Sequence, residues 1–326
     1  MAKTQVSDVI VPEIYNAYVY SKTKELSNFI NSGIAMSSPQ LDTLAANGGK
    51  FVDMPLWHDL SGADEVLSDS TALTPDKITA DKQVGVRLVR GRAWESADLA
   101  GILSGSDPLG MFTTRVAEYR ARKEQTTLVS IINGLFGTAG ALTASNSLDI
   151  SGGTGDAAKI GASSMLDAKQ LLGDAAGDLT AVAMHSATYT ALEKQNLIQF
   201  IPNSNGVVDF PRYMNKRIVI DDGMPVSGTG ADAIYTTVFF GNGAFGRGDG
   251  VPADLVTFES DRDILSSSTT IVTRWSIVLH PYGCKFNTGA TLLGATPSNA
   301  ELATPANWVK VLETKQIPMI ALKHKI

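Results

Sequence analysis

The sequence is poor in the residues from which most sites are built. It holds one cysteine, Cys284, in 326 residues. That excludes a disulfide framework and a thiolate metal cluster. Its four histidines, His58, His185, His280 and His324, never recur at i, i+3 or i+4, so the spacing of a helical metal site is missing. There is no Gly-x-Ser-x-Gly elbow for a hydrolase nucleophile. Cations are not in excess: the formal net charge is −6, which argues against a surface that grips phosphates. No apolar run approaches membrane-spanning length, and the first residues, MAKTQVSD, lack an apolar signal core. The expectation is a soluble chain made in a reducing cytoplasm. Apolar content is ordinary at 44%, enough for a real core and against wholesale disorder.

What is present is dominated by one stretch, Asp107 to Phe136. Asp107 fits an N-cap and Pro108 the first helical position. Leu109, Phe112, Val116 and Tyr119 recur at steps of three and four, and Leu128, Ile131, Ile132 and Leu135 resume the pattern. Arg115, Glu118, Arg122, Lys123 and Glu124 fill the other positions, with Glu118 four before Arg122 in the favourable order. Gly134 and Gly137 are the expected stops. Such a helix is about 40 Å long at 1.5 Å per residue.

Around it the chain reads in segments. Residues 1–50 form an arm with one short helix whose apolar face includes Ile14, Tyr18, Leu26, Phe29 and Ile30. Residues 51–92 form one long hairpin: a strand from Phe51 to Leu60, a polar turn-rich excursion, and a return strand from Lys77 to Arg92. In the return strand Val84, Val86 and Leu88 alternate with Gln83, Gly85 and Arg87. A two-stranded element this long needs cover, from its own domain or from a neighbouring subunit. Residues 93–155 hold a short helix from Trp94 to Leu103, the long helix, and a small-residue loop from 138 to 156. Residues 156–252 alternate helix and strand: a helix from Ala157 to Leu172, strands at Leu179–Met184, Arg217–Ile220 and Ile234–Phe240, and a helix from Ala187 to Gln195 with Ser186 as candidate N-cap. Residues 253–290 return to long strands, chiefly Thr270 to Leu279. In residues 291–326 the run from Ile317 to Leu322 reads as an added edge strand.

Several motifs have a bland and a sharp reading. Gly241, Gly243 and Gly246 match dinucleotide-loop spacing after a strand, but no helix start follows them; a glycine-rich turn between strands fits better. Arg247-Gly248-Asp249 spells an adhesion tripeptide that short matches produce by chance. Glu259, Asp261 and Asp263 could hold a cation, yet a solvated acidic turn is the commoner arrangement. Cys284 beside Lys285 could be activated, yet a buried inert thiol is the commoner case. No catalytic, cofactor or metal constellation emerges. A low-ranked alternative is an α/β enzyme using Asp156 to Gly250.

The order of elements is the strongest signal. Arm, long hairpin, long helix, α/β domain and a return to long strands resembles the HK97-type fold of tailed-phage major capsid proteins. Phrases that resemble the coat-protein branch of that family are VIVPEIYNAYV, NSGIA, GGKFVDMPLW, AWESADLAGILSGSDP, AVAMHSATYTALEK and TPANWVKVLETKQIPMIAL. The resemblance spans nearly the whole chain. It implies an α+β fold with an N-arm, an extended hairpin (E-loop), a spine helix, a P-domain and an α/β A-domain. It also implies a non-enzymatic shell subunit, without cofactors, that forms pentamers and hexamers and encloses DNA without reading its sequence. The implied location is the virion, reached from the host cytoplasm. A separate scaffolding protein is implied, because the chain begins almost directly at the arm, and a portal and a decoration protein are further partners that the resemblance implies. A shell of the same fold that packages an enzyme cargo, an encapsulin, is the alternative within this class. Some members crosslink an E-loop lysine to a neighbour's asparagine. Lys77 and Lys82 lie near the hairpin, but nothing identifies a partner, and crosslinking is not expected. For the assembly interface the candidates are Trp57, His58, Arg87, Arg90 and Arg92, the arginines reaching acidic surfaces of an adjacent subunit.

Overall fold

In the computed structural model the structure describes residue 29 and residues 32–47, 49–57, 64–67, 73, 77–78, 80–99, 108–202, 208–252 and 254–326. The expected arm helix before Phe29, the N-cap Asp107 and most of the hairpin tip lie outside them.

The long helix, Pro108–Phe136, separates two sheets. Leu128, Ile131, Ile132, Leu135 and Phe136 are each at most 2% exposed, the i, i+3, i+4 pattern of a helix buried on more than one side. We number helices in chain order, beginning with α1, Pro39–Ala46, so the long helix is α2. The first sheet has strand order β1-β11-β13-β3-β2, with β12 also paired to β13. Its strands are β1 Ala35–Ser37, β2 Phe51–Trp57, β3 Ala80–Ala97, β11 Phe245–Asp249, β12 Phe258–Asp263 and β13 Ser268–Pro281. One face of it, with Val86, Leu88, Trp275, Ile277 and Leu279, packs in the same core as α2. The other face, with Val52 and Val278, is covered by α1.

The second sheet runs β4-β16-β10-β5-β8-β7-β6, with β9 on β10. It comprises β4 Ser147–Asp149, β5 Leu179–Met184, β6 Gln199–Pro202, β7 Val208–Tyr213, β8 Lys216–Ile220, β9 Val226–Ser227, β10 Ile234–Gly241 and β16 Met319–His324. Ala181, Ala183, Val219, Val238 and Phe240 join the α2 core. Val182, Met184, Ile218 and Phe239 pack under α3 (Ala162–Gln170) and α4 (Ser186–Lys194) through Met165, Ala168 and Leu192. A short pair, β14 Cys284–Phe286 with β15 Trp308–Lys310, and the four-residue helix α5, Asn299–Leu302, complete the chain.

Several expectations are corrected. The last strand is not an edge: β16 lies between β10 and β4. Met319 and Ala321 face one core, Ile320 and Leu322 the other, and a strand apolar on both faces belongs inside a sheet. The edge is β4, in the stretch read as loop. Residues 156–252 do not close on themselves either, since their sheet takes in β4 and β16 while β11 joins the first sheet. Trp94 to Ala97 continue β3, because β13 offers partners as far as Ser268 opposite Ala97. The expected helix from Ala157 is broken where Ile160 bonds to the Lys325 carbonyl. His185, not Ser186, caps α4: its Nδ1 accepts from the Ala187 N–H at 3.1 Å. Glu118 pairs back to Arg115 at 2.9 Å. Gly134 lies inside α2 rather than at its end.

The glycine motif marks a crossing between sheets. β10 ends at Gly241 and β11 begins at Phe245. Gly246, Gly248 and Gly250 then alternate along one face, where a Cβ would lie 2.6 Å from Leu41 Cδ1, 2.4 Å from the Leu41 carbonyl oxygen and 2.4 Å from the Ala46 nitrogen, respectively. The missing side chains let α1 lie directly on the strand. On the opposite face Arg247 and Asp249 enter a closed ionic ring with α2. Glu124, 2% exposed, receives Arg247 Nε at 3.0 Å and Arg120 Nε at 3.1 Å, and Asp249 receives Arg120 Nη2 at 2.6 Å and Arg247 Nη2 at 3.3 Å. The adhesion-like tripeptide is therefore structural.

Candidate assembly surface

The polar side chains that could carry chemistry are engaged structurally. Cys284 is buried, and burial pushes its thiol up to about 12, with Lys310 partly opposing. Burial also lowers His280 and His324 to about 4. His280 Nε2 meets Gln83 Oε1 at 2.9 Å and His324 Nε2 meets Thr237 Oγ1 at 2.9 Å. Glu259 pairs with Arg274 at 3.0 Å, and Asp263 Oδ1 accepts from the Leu265 and Ser266 N–H groups. Among the described residues no group of three His, Cys, Asp or Glu side chains is placed to hold a metal.

The hairpin divides into two parts. Its root is core: Val52, Val84, Val86 and Leu88 are each at most 3% exposed. Lys285 holds Asp81 at 3.3 Å and Lys82 holds Asp53 at 2.7 Å along its length. Its outer end is the reverse. Val66, Leu67, Leu73 and Ile78 are 92%, 79%, 57% and 67% exposed. Sequence reading passed over these four, the adjacent pair Val66 and Leu67 and the isolated Leu73 and Ile78, because they lie in a polar, turn-rich stretch; apolar residues left exposed beyond a buried root are the signal that marks them.

The candidate interface residues do not form one group. Trp57 ends β2 opposite Ala80, and His58 lies outside the described residues. Arg87 is 5% exposed, on the face of β3 that α1 covers. Its Nη2 donates to the Leu44 carbonyl at 2.8 Å, near the helix C-terminus where cations are favoured, and burial lowers its pKa. It is held within its own subunit. Arg90, on the opposite face, donates to Thr296 Oγ1 at 3.2 Å and to the Pro297 carbonyl, pinning the segment before α5. Burial lowers its pKa and Glu301 partly offsets this. Arg92 is exposed, opposite Thr273.

Between Arg90 and α2 lies a cavity of about 420 Å³. Its floor is Leu88, Trp275 and Ile277, and its wall is Tyr119, edge-on to Trp275 at 6.4 Å. Lys123 stands over the Tyr119 ring at 5.3 Å.

Two sheets astride a long helix, with Val66, Leu67, Leu73 and Ile78 left exposed beyond a buried hairpin root, form an architecture that solved structures share. The capsid of Ralstonia phage GP4 superposes with a TM-score of 0.58 at 9% identity, over 92% of this chain and 91% of that one. The cyanophage Pam1 capsid gives 0.55 at 11% identity, over 89% and 88%. At such identities the likeness defines the fold, which is HK97-like.

The family follows from sequence. A family model described as Gp13-like, major capsid protein 13-like, matches residues 13–318. The major capsid protein of Bacillus phage SPP1 is 43% identical over 330 residues, covering 100% of this chain and 99% of that protein. This chain belongs to the Gp13-like family of tailed-phage major capsid proteins. It is a structural component of the virion capsid that assembles with copies of itself, and the enzyme and encapsulin alternatives give way to this assignment.

Proposed function

We propose that this chain closes into pentamers and hexamers by laying the outer end of each hairpin on the next subunit, and that these rings build the icosahedral head around double-stranded DNA. The observation that carries this reading is the exposure of Val66, Leu67, Leu73 and Ile78 beyond a root that is packed in its own subunit. Burying these side chains on a neighbour contributes on the order of 1.5–3 kcal/mol each where burial is complete. Symmetry then repeats a modest contact many times. The net charge of −6 suits a wall that does not hold phosphates tightly. Within this reading the further partners are a scaffolding protein, a portal and a decoration protein, met in the host cytoplasm during assembly.

The test is to replace Ser61 to Lys77 with a short Gly-Ser link. The subunit should keep near-native circular dichroism and melting but yield no closed shells in sedimentation. Normal shells would remove the hairpin from assembly, and an unfolded product would place its tip in the subunit's own core.

A further inference from the structure

We propose that the cleft between α2 and the loop joining β8 to β9 binds a primary alkylammonium ion, the chemistry shared by a free diamine and a lysine side chain. The cleft is separate from the hairpin, so this inference does not depend on the reading above.

The cleft follows from how α2 is covered. Arg122, Thr126, Val129, Ser130 and Asn133 step by three and four along one side of the helix. They form one wall, and the turn Asp221-Asp222-Gly223 at the end of β8 forms the other. From Arg122 to Asn133 the helix rises about 16 Å at 1.5 Å per residue. The cleft encloses about 490 Å³.

Its polar walls offer acceptors. Thr126 Oγ1 donates to the Arg122 carbonyl at 2.9 Å, and Ser130 Oγ donates to the Thr126 carbonyl at 2.8 Å. Their protons are committed to the helix backbone, so lone pairs are what these hydroxyls have left for a ligand. Asp221 and Asp222 add two carboxylates. Asp221 Oδ1 accepts from the Gly223 N–H at 2.7 Å, and Asp222 Oδ1 accepts from the Ser186 N–H at 3.2 Å. Hydrogen bonding from Ser186 lowers the Asp222 pKa, which keeps it an anion at neutral pH.

Gln125 supplies an independent sign of a donor ligand. It lines the same cleft and is 8% exposed. Its Nε2 donates to Asp221 Oδ2 at 2.6 Å, while its Oε1 is buried with no donor among the described residues. A buried amide oxygen without a donor is unfavourable, and a ligand rich in N–H groups corrects that. Val129, Ile220 and Pro225 line the rest of the wall, where methylene groups gain by leaving water. An ammonium carries three donors and no acceptor, and its alkyl stem matches the apolar wall. Anions are opposed by the two carboxylates. A bare metal ion would find no group of three ligating side chains among the described residues.

Arg122 works against the site. It lines the cleft, half-buried, and its side chain has no partner among the described residues. Its charge therefore repels a bound cation, while Asp222 attracts it. The two residues give the proposal opposite signs to test.

The experiment is calorimetric titration of the purified, unassembled full chain at fixed ionic strength with butane-1,4-diamine, butylamine and magnesium chloride. Both amines should bind saturably, one per subunit, and magnesium should neither bind there nor displace them. Arg122→Ala should tighten amine binding about threefold and Asp222→Asn should weaken it about threefold. Asp222→Asn keeps an oxygen for the Ser186 N–H, and circular dichroism of both variants checks the fold. Butylamine binding as tightly as the diamine assigns the site to a single ammonium, as a lysine of a second chain presents it. Tighter binding of the diamine assigns it to the free ligand. No saturable amine binding, displacement by magnesium, or unchanged affinity in either variant overturns the proposal.

Discussion

Replacing Gly134 by alanine separates two physical accounts by sign. Gly134 sits two residues before the end of α2. On helix propensity alone, alanine in a helix interior is better than glycine by about 1 kcal/mol. The tertiary structure says the opposite. A Cβ at this position would lie 2.3 Å from the Leu302 carbonyl oxygen and 2.7 Å from Trp308 Nε1. Those two groups are hydrogen-bonded to each other at 2.7 Å, and the Trp308 ring is edge-on to Phe286 at 5.2 Å. The extra methyl must push the C-terminal segment off the helix. Overpacking costs about 1–3 kcal/mol, and loosening a buried hydrogen bond about 1 kcal/mol more. Set against the propensity gain, the net loss is about 1–3 kcal/mol, a fall in melting temperature of roughly 2–6 °C for a chain of this size. Calorimetry of the purified, unassembled subunit reads it directly. Gly177→Ala is the control, since a Cβ there meets nothing within 4 Å, and it should leave melting unchanged or slightly raised. A raised melting temperature for Gly134→Ala would refute the close crossing of α2 by the C-terminal segment.

Two further outcomes follow from buried titratable groups. His280 and His324 are held neutral, with pKa lowered from 6.5 to about 4 by burial. Because the unfolded chain binds these protons first, stability is full above pH 6.5 and is lost as pH falls toward 4, by about 3 kcal/mol per histidine. Denaturant midpoints across that window should flatten in a His280→Gln, His324→Gln double variant, and an equally steep dependence there would place the acid sensitivity elsewhere. Cys284, raised to about 12 and buried, should resist a thiol-exchange reagent at pH 8 in the native subunit and release one equivalent on denaturation; rapid native labelling would show that β14 opens.

The long elements were legible because periodicity speaks for itself. The 3.6-residue pattern of α2 and the alternation of Val84, Val86 and Leu88 in β3 need no partner to be read. Features decided by distant residues were not legible. The Gly246, Gly248 and Gly250 spacing suggests a loop until α1 is seen lying on it. Arg87 reads as a surface cation because nothing nearby in sequence announces Leu44, 43 residues away, as its acceptor. β16 reads as an edge because its two neighbours, β4 and β10, come from separate parts of the chain. The candidate surface shows the same divide. Arginines drew attention as polar groups in a strand, whereas the four apolar residues of the tip became visible only once they were seen exposed beyond a buried root.

The most direct measurement is an electron-microscopic reconstruction of shells formed by this chain, at a resolution that traces residues 51–97. The account expects the outer end of every hairpin to lie across the adjacent copy, with Val66 and Leu67 buried there and the root still between α1 and α2. An outer end folded onto its own subunit, or standing bare in solvent in a closed shell, would contradict it.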